Sequence, residues 1–258
     1  MTTPVAGWRL DMDRGVRCYR LDPAPCLQLA FATRLGGVSR APFDSLNVST
    51  SAGDSAAAVA ANTTAIRVAL GLKTLVTLRQ IHSDTIVEVA DREFVADAVE
   101  GDALLTTVPG VGLGVKVADC LPVYLWDAGG RGVGLAHSGW RGSASGIALV
   151  LARALAARVG VGTRRLRFAL GPCICSRCYE VGPEVAERFA PVGVVAVGAR
   201  PGRFLLNLRA AARHQLAALG LREAPGLELC TSETPTECYS ARRDVTTGRN
   251  LAVIAITG

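Results

Sequence analysis

Three side chains in this 258-residue chain are of types that hold a transition metal or form a nucleophile–base pair: His82 in RQIHSD, Cys120 in VADCLPV and His137 in AHSGWRG. Thiolate and imidazole both bind zinc, and three protein ligands leave a fourth position for water or substrate, the pattern of catalytic zinc. Water on such an ion loses a proton near neutral pH and can attack an electrophilic carbon. Without a metal, Cys120 is a candidate nucleophile with His137 as its base. A third reading makes all three ordinary core residues, because isolated Cys and His side chains often only pack. Spacing alone leaves the three readings open.

For Cys120 and His137 to meet, Val117–Gly142 must fold back on itself as a hairpin. A two-residue turn at Gly129-Gly130 is a favoured use of that dipeptide. It sets Cys120 opposite Gly139 and Pro122 opposite His137, so Cys120 and His137 share a face. Diagonal neighbours of this kind have Cα atoms about 7–8 Å apart. Pro122 cannot donate to the ladder, which predicts an edge, bulge or strand break beside the site. His82 ends another extended stretch within residues 75–89, which are rich in β-branched residues. His214 falls in the helical pattern RAAARHQLAAL and is expected to pack or face solvent.

The remaining chain reads as alternating short elements. A strand over 26–34 ends in Arg34, and a helix over 55–70 has Asp54 or Ser55 as N-cap and Gly71 past its end. Ser145 caps a helix running to about Arg158 and closed by Gly160. A strand over 166–171, a short helix in PEVAERFA, a final helix over 207–219 and a buried strand over 251–257 follow. Strands in runs with a few helices between them predict a mixed α/β fold, one domain spanning residues 1–258.

Half the residues are hydrophobic and mean hydropathy is +0.31, which supports a large core. No apolar run approaches the roughly 18–20 residues that span a bilayer. The first twenty residues carry charges where a signal peptide needs its apolar stretch. The expectation is a cytoplasmic protein with no membrane partner, its eight cysteines present as thiols. The net charge is +6, yet Lys73 and Lys116 are the only lysines among 28 basic residues, and the arginines are scattered. That distribution predicts no nucleic-acid stripe, while leaving an attraction for small anions such as phosphate.

Cys173, Cys175 and Cys178 form a separate cluster in GPCICSRC. It offers a second zinc site with Cys230 or Cys238 as fourth ligand, but a structural zinc ribbon pairs two Cys-x-x-Cys knuckles and one is present. The expectation is a packed turn beside the pocket. Gly36-Gly37 lacks the strand-to-helix pattern of a phosphate loop and reads as a turn.

The motifs FATRLGGVS, FDSLNVS, RQIHSD, GDALLTT, VADCLPV, AHSGWRG, GPCICSRCYEVG, LNLRAAARHQL and SARRDVTTGRNLAVI occur in this order from about Phe31 to Ile256. Together they resemble the family long labelled multicopper polyphenol oxidases or laccase-domain proteins and now regarded as purine nucleoside phosphorylases. The resemblance implies a single-domain α/β sandwich of mixed sheets with a metal site on His82, Cys120 and His137. It implies zinc as cofactor, with copper suited to the same mixed ligands. It implies purine nucleosides (adenosine, inosine, methylthioadenosine) and phosphate as partners, with free base and ribose 1-phosphate as products. Adenosine deamination is attributed to the family as well. The older label fails on residue count, because three histidines cannot hold a trinuclear copper cluster plus a separate electron-entry copper.

Within that frame the metal polarises a purine or ribose oxygen, or holds the water that attacks adenine C6. Cys120, His137 and Arg34 are the expected catalytic residues. Arg34 and Arg141 offer guanidinium forks for phosphate, and Asn47 and Gln80 offer hydrogen bonds to base or ribose. Ser83 stands where the family usually has Gly, which narrows the pocket or adds a hydrogen bond. Asn207, Ala212 and the CYSARRD stretch also depart from the family pattern and bear on substrate preference. Two competing functions use the same residues differently: an amidase that edits peptidoglycan precursors through Cys120 and His137, and a non-enzymatic zinc or nucleic-acid-binding protein built on the cysteine cluster.

Overall fold

Along the strand Leu121–Asp127 every residue is buried, and successive side chains enter different cores. Leu121, Val123 and Leu125 pack beneath helices, whereas Tyr124 and Trp126 face a second sheet. A strand covered on both faces reads as one apolar run in the sequence. The computed structural model describes residues 7–94, 99–192 and 195–257 and repeats this pattern in layers.

In chain order the first strands are β1 (Arg9–Asp13), β2 (Val16–Ala24), β3 (Leu27–Ala32), β4 (Thr74–Thr77), β5 (Ile86–Glu88), β6 (Ala103–Thr106) and β7 (Val111–Val117). There follow β8 (Leu121–Asp127), β9 (Val133–Ser138), β10 (Leu166–Leu170), β11 (Glu180–Val181), β12 (Val195–Val197), β13 (Phe204–Leu206), β14 (Arg222–Glu223) and β15 (Asn250–Ile256). The helices are α1 (Ala56–Ala69), α2 (Trp140–Ser145), α3 (Ile147–Val159), α4 (Pro183–Ala186) and α5 (Leu208–Ala218).

One six-stranded sheet has the order β1-β2-β3-β15-β7-β4, the other β14-β10-β8-β9-β6-β5, and β11, β13 and β12 make a small third sheet. Most neighbours are antiparallel, but β4–β7, β5–β6 and β10–β14 run parallel, so both large sheets are mixed. Phe31, Leu113, Val115, Tyr124, Trp126 and Ile254 fill the space between them. The Tyr124 hydroxyl crosses that space and donates to the Ala30 carbonyl at 2.9 Å. Left unpaired there, it would cost about 1–3 kcal/mol. Helices α3 and α5 cover the outer face of the second sheet, and α1 covers the first through Ile66 and Ala69. The expected mixed-sheet α/β sandwich is therefore a four-layer one. No helix among the described residues is long and apolar enough to cross a membrane.

Several boundaries differ from the sequence reading, each for a local reason. The run over 75–89 is not one strand: β4 belongs to the first sheet and β5 to the second, and residues 78–85 cross between them. Strand β3 ends at Ala32, two residues before Arg34. The helix expected from Ser145 begins at Trp140, stops at Gly146 with φ +77° and resumes as α3. Glycine accepts that left-handed conformation without a Cβ clash. Phe204–Leu206 is strand, and Asn207 caps α5 by accepting from the Ala210 N–H at 3.0 Å.

The β8–β9 hairpin keeps the expected register, Pro122 opposite His137. Its connection is longer than two residues, however, because the Asp127 N–H closes on Gly132 O and the Gly130 N–H on Asp127 O. Pro122 sits in a central strand rather than at an edge. It is tolerated because the β10 ladder ends at Leu170, opposite Val123. Gly171 then donates to Pro122 O, while Gly171 O accepts from Arg209 instead.

Candidate active site

The two sheets are joined at one end of the sandwich by segments that cross from one to the other. Ala118-Asp119-Cys120 links β7 to β8, and residues 78–85 link β4 to β5. The first crossing carries Cys120, the second carries His82, and the end of β9 supplies His137. Their ligand atoms all lie within 4.8 Å of one another. Cys120 Sγ is 4.0 Å from His82 Nε2, and the two imidazole rings stand edge to face with centroids 4.9 Å apart. His137 is buried, Cys120 half-buried and His82 exposed.

Two carboxylates that the sequence reading passed over hold this arrangement. Asp102, fully buried, accepts from the backbone N–H groups of Ile81, His82 and Ser83, from Ser83 Oγ, and pairs with His137 Nδ1 at 2.8 Å. One acid therefore shapes the His82 turn and orients the His137 ring. Burial works to raise its pKa, but hydrogen bonds from His137 and Ser83 outweigh it and hold it at about 2. Asp119 accepts from Thr231 Oγ1 at 2.6 Å and from the Arg242 N–H at 2.6 Å. These bonds stabilise φ +89° at Asp119, and Asp102 does the same for φ +60° at His82. Non-glycine residues in that region are strained, and such strain gathers at functional sites.

The residues fit a divalent metal. One thiol and two imidazoles form a borderline-soft donor set. With Nδ1 of His137 held on a carboxylate, Nε2 is left to bind, the usual arrangement behind a ligating histidine. Gly139 keeps the space clear, since a Cβ there would stand 2.9 Å from Cys120 Sγ and 3.2 Å from His82 Cδ2. Burial would raise the Cys120 thiol, but His137 and then His82 draw it down to about 6. Burial would lower His137, yet the charge on Cys120 and the bond to Asp102 lift it to about 9. The thiolate needed for ligation is thus favoured at neutral pH.

A cavity of about 950 Å³ opens over these three residues. Its wall includes Ser49, Thr50 and Ser51 before α1, together with Lys116, Arg242 and Arg249. Lys116 has no ion-pair partner among the described residues, and burial lowers its pKa. Arg249 is held by the carbonyls of Thr247 and Gly248, and Arg242 by Glu180 O and the ring of Tyr179. Arg79 also lines the cavity but is paired with Glu100. The other three cations and a row of hydroxyls beside a metal-type trio make a site for an anionic, hydroxyl-bearing ligand.

The other residues singled out in the sequence are placed differently. Gln80 lines the cavity, but its amide is spent on the Lys116 backbone, donating at 2.9 Å and accepting at 2.7 Å. Asn47 is buried beneath the cavity wall, bonded to Ser49, Asp54 and the Arg249 N–H. Arg34 is not brought to the cavity: its guanidinium donates to Asp44 O and Pro235 O and lies 4.6 Å over the Tyr239 ring. Arg141 is also outside, stacked on Trp140 at 4.4 Å. His214 is exposed on α5. Lys116 was legible as the one charge in the apolar run GVGLGVKV, and Asp102 as an acid opening the apolar run ALL.

A family model described as multi-copper polyphenol oxidoreductase laccase matches residues 28–257. A purine nucleoside phosphorylase of Pseudomonas aeruginosa is 37% identical over 238 residues, covering 90% of this chain and 95% of that one. An adenosine deaminase from an unknown prokaryotic organism is 35% identical over 243 residues, covering 87% and 92%. The crystal structure of YlmD from Geobacillus stearothermophilus superposes with a TM-score of 0.87 at 32% identity, covering 96% of this chain and 99% of that one.

Proposed function

The chain belongs to the family described as multi-copper polyphenol oxidoreductase laccase, and from that premise we propose that it is a metal-dependent purine nucleoside phosphorylase. The observation that carries the proposal is the pairing, in one cavity, of the His82–Cys120–His137 trio with the cations Lys116, Arg242 and Arg249. Oxidation of phenols by several coppers has no support in a chain with three histidines, one of them remote on α5.

His82, Cys120 and His137 would hold zinc, with copper suited to the same ligands. A bound ion supplies Lewis-acid polarisation of a purine or ribose oxygen. Lys116, Arg242 and Arg249 neutralise phosphate, and Lys116 in particular gains the counter-charge it lacks. Hydroxyls of Ser49, Thr50 and Ser51 hydrogen-bond the ribose. A phosphate oxygen bonds to C1′ as the C1′–N9 bond breaks; the electron pair leaves with the purine nitrogen, which takes up a proton. Asp102 keeps the His137 Nδ1 proton in place, so the ring presents Nε2 throughout. Arg34 and Asn47 act at a distance, Arg34 by fixing the loop at Asp44 and Asn47 by fixing Arg249. The whole chain is taken as one functional unit acting in the cytoplasm.

Release of hypoxanthine from inosine is expected only with phosphate present. Lys116→Met is expected to raise the KM for phosphate about tenfold or more and that for inosine much less, as for loss of one charge-assisted bond of about 1.5–3 kcal/mol. Base release at the same rate without phosphate would contradict the proposal. Adenosine deamination is a second reading, favoured by the name of the 35% identical relative; inosine and ammonia formed from adenosine without phosphate would support it. The amidase reading gains nothing from the relatives' names.

A further inference from the structure

A second group of metal-binding side chains lies outside the cavity wall. Cys175, Cys178, Cys230 and Glu233 each bring a ligand atom to within 4.8 Å of the others. They come from two turns of the same shape: the Cys178 N–H donates to Cys175 O at 3.1 Å, and the Glu233 N–H donates to Cys230 O at 3.2 Å. The spacing Cys-x-x-Cys thus meets a matching Cys-x-x-Glu. That second knuckle is hidden in a search for cysteine pairs, which is why the cluster read as a packed turn.

The two turns are locked face to face. The Cys175 N–H donates to Cys230 Sγ at 3.3 Å, and Cys178 Sγ lies 3.4 Å from Glu233 Oε1. Behind them Cys173 and Cys230 form a parallel bridge, and Arg209 donates to both Gly171 O and Leu229 O. Cys238, the other fourth ligand considered from sequence, is buried between the two large sheets, and Cys173 donates to Ile174 O. Neither belongs to the cluster.

We propose that Cys175, Cys178, Cys230 and Glu233 form a second, structural metal site for zinc. Tetrahedral zinc with Zn–S near 2.3 Å sets neighbouring sulfurs roughly 3.8 Å apart, inside the observed spread. Four protein ligands close the coordination sphere, as structural sites require. Binding replaces three thiol protons, which pass to solvent, while the carboxylate binds as it stands. Arg177 lies 3.1 and 2.8 Å from the two Glu233 oxygens and offsets the surplus negative charge of three thiolates and a carboxylate. The site's role follows from what its arms touch. The Ile174 N–H donates to Asp119 O and Thr231 Oγ1 to Asp119 Oδ1. A metal here staples together the two segments that fix the backbone directly before Cys120, which makes its ligands positioning residues. The inference stands independently of the phosphorolysis reading.

The test is zinc stoichiometry of the full chain after loading with excess zinc and desalting. The expectation is about two equivalents for wild type and about one for each of Cys120→Ala, Cys178→Ser and Glu233→Gln. Cobalt loading provides the spectroscopic readout: sulfur-to-cobalt absorption persists in Cys120→Ala and falls sharply in Cys178→Ser. If Cys178→Ser fails to fold, Glu233→Gln, which keeps size and all three thiols, carries the comparison. One equivalent that disappears with Cys120→Ala would overturn the second site. A two-proton mass deficit marking a disulfide among Cys175, Cys178 and Cys230 would overturn it as well. One equivalent that instead disappears with Cys178→Ser supports this site and counts against the cavity's ion.

Discussion

The two ligand clusters keep their shape by opposite means. The cavity trio takes its members from three separate segments, and two carboxylates hold those segments in strained conformations through partners far away in sequence. Asp102 acts through His82 and His137, and Asp119, next to Cys120, through Thr231 and Arg242. The cluster of Cys175, Cys178, Cys230 and Glu233 comes from two short turns that close on their own backbone. Mixed nitrogen and sulfur ligands, one of them open to a large cavity, suit an ion that must meet substrate. Three sulfurs and a carboxylate from self-closing turns suit an ion that need only stay. The reactive site is therefore the one that depends on the rest of the fold, and the stapling site is part of what it depends on.

The sharpest way to separate the clusters is Cys120→Ala. It is expected to abolish the cavity's ion and lower kcat/KM at least about 100-fold, while far-UV circular dichroism stays unchanged. Asp102→Asn comes next. Without the carboxylate that aligns His137, metal affinity and turnover are expected to fall about 10–100-fold. The same variant has a pH signature in chelator-treated protein. A carboxyl depressed to about 2 contributes stability that is present above its ordinary pKa and lost as pH falls toward 2. Wild type should lose about 2 kcal/mol more than Asp102→Asn between pH 5 and 2, read from urea midpoints. Equal acid limbs would show that Asp102 is not the hub.

Gly139→Ala probes crowding rather than charge. Its Cβ would press on Cys120 Sγ at 2.9 Å, so metal affinity is expected to fall about tenfold, as for roughly 1–3 kcal/mol of overpacking. Isothermal titration with zinc reads that change. Ser83→Gly is expected to have the smallest effect, a few-fold in turnover, because it removes one of five donors to Asp102. A hundredfold loss from Ser83→Gly would mean that Ser83 touches substrate.

Much of the fold was legible because alternation within strands and the helix-end residues Ser55 and Gly160 act locally. The β8–β9 register was legible even though the turn is longer than expected, since both connections keep the same residues opposite. What sequence hid was the exchange between sheets. Residues 75–89 look like one β-branched run, and nothing local says that β4 and β5 lie in different layers. Asp102 shows as an acid opening an apolar run, but its role was hidden, because its partners lie about twenty and thirty-five positions away. Arg34 in TRLGG and Arg141 in GWRG offered guanidinium forks for phosphate, yet Arg34 is satisfied by two carbonyls and a ring and Arg141 stacks on Trp140. Glu233 went unread because its knuckle replaces a sulfur with a carboxylate.

The central claim is that one divalent ion, shared by His82, Cys120 and His137, is required for nucleoside cleavage. The direct measurement strips and restores that ion in wild-type protein while following phosphate-dependent release of hypoxanthine from inosine. Activity is expected to fall in step with the metal whose retention requires Cys120, and to return when zinc is added back. Undiminished phosphorolysis by protein with that site emptied would contradict the account.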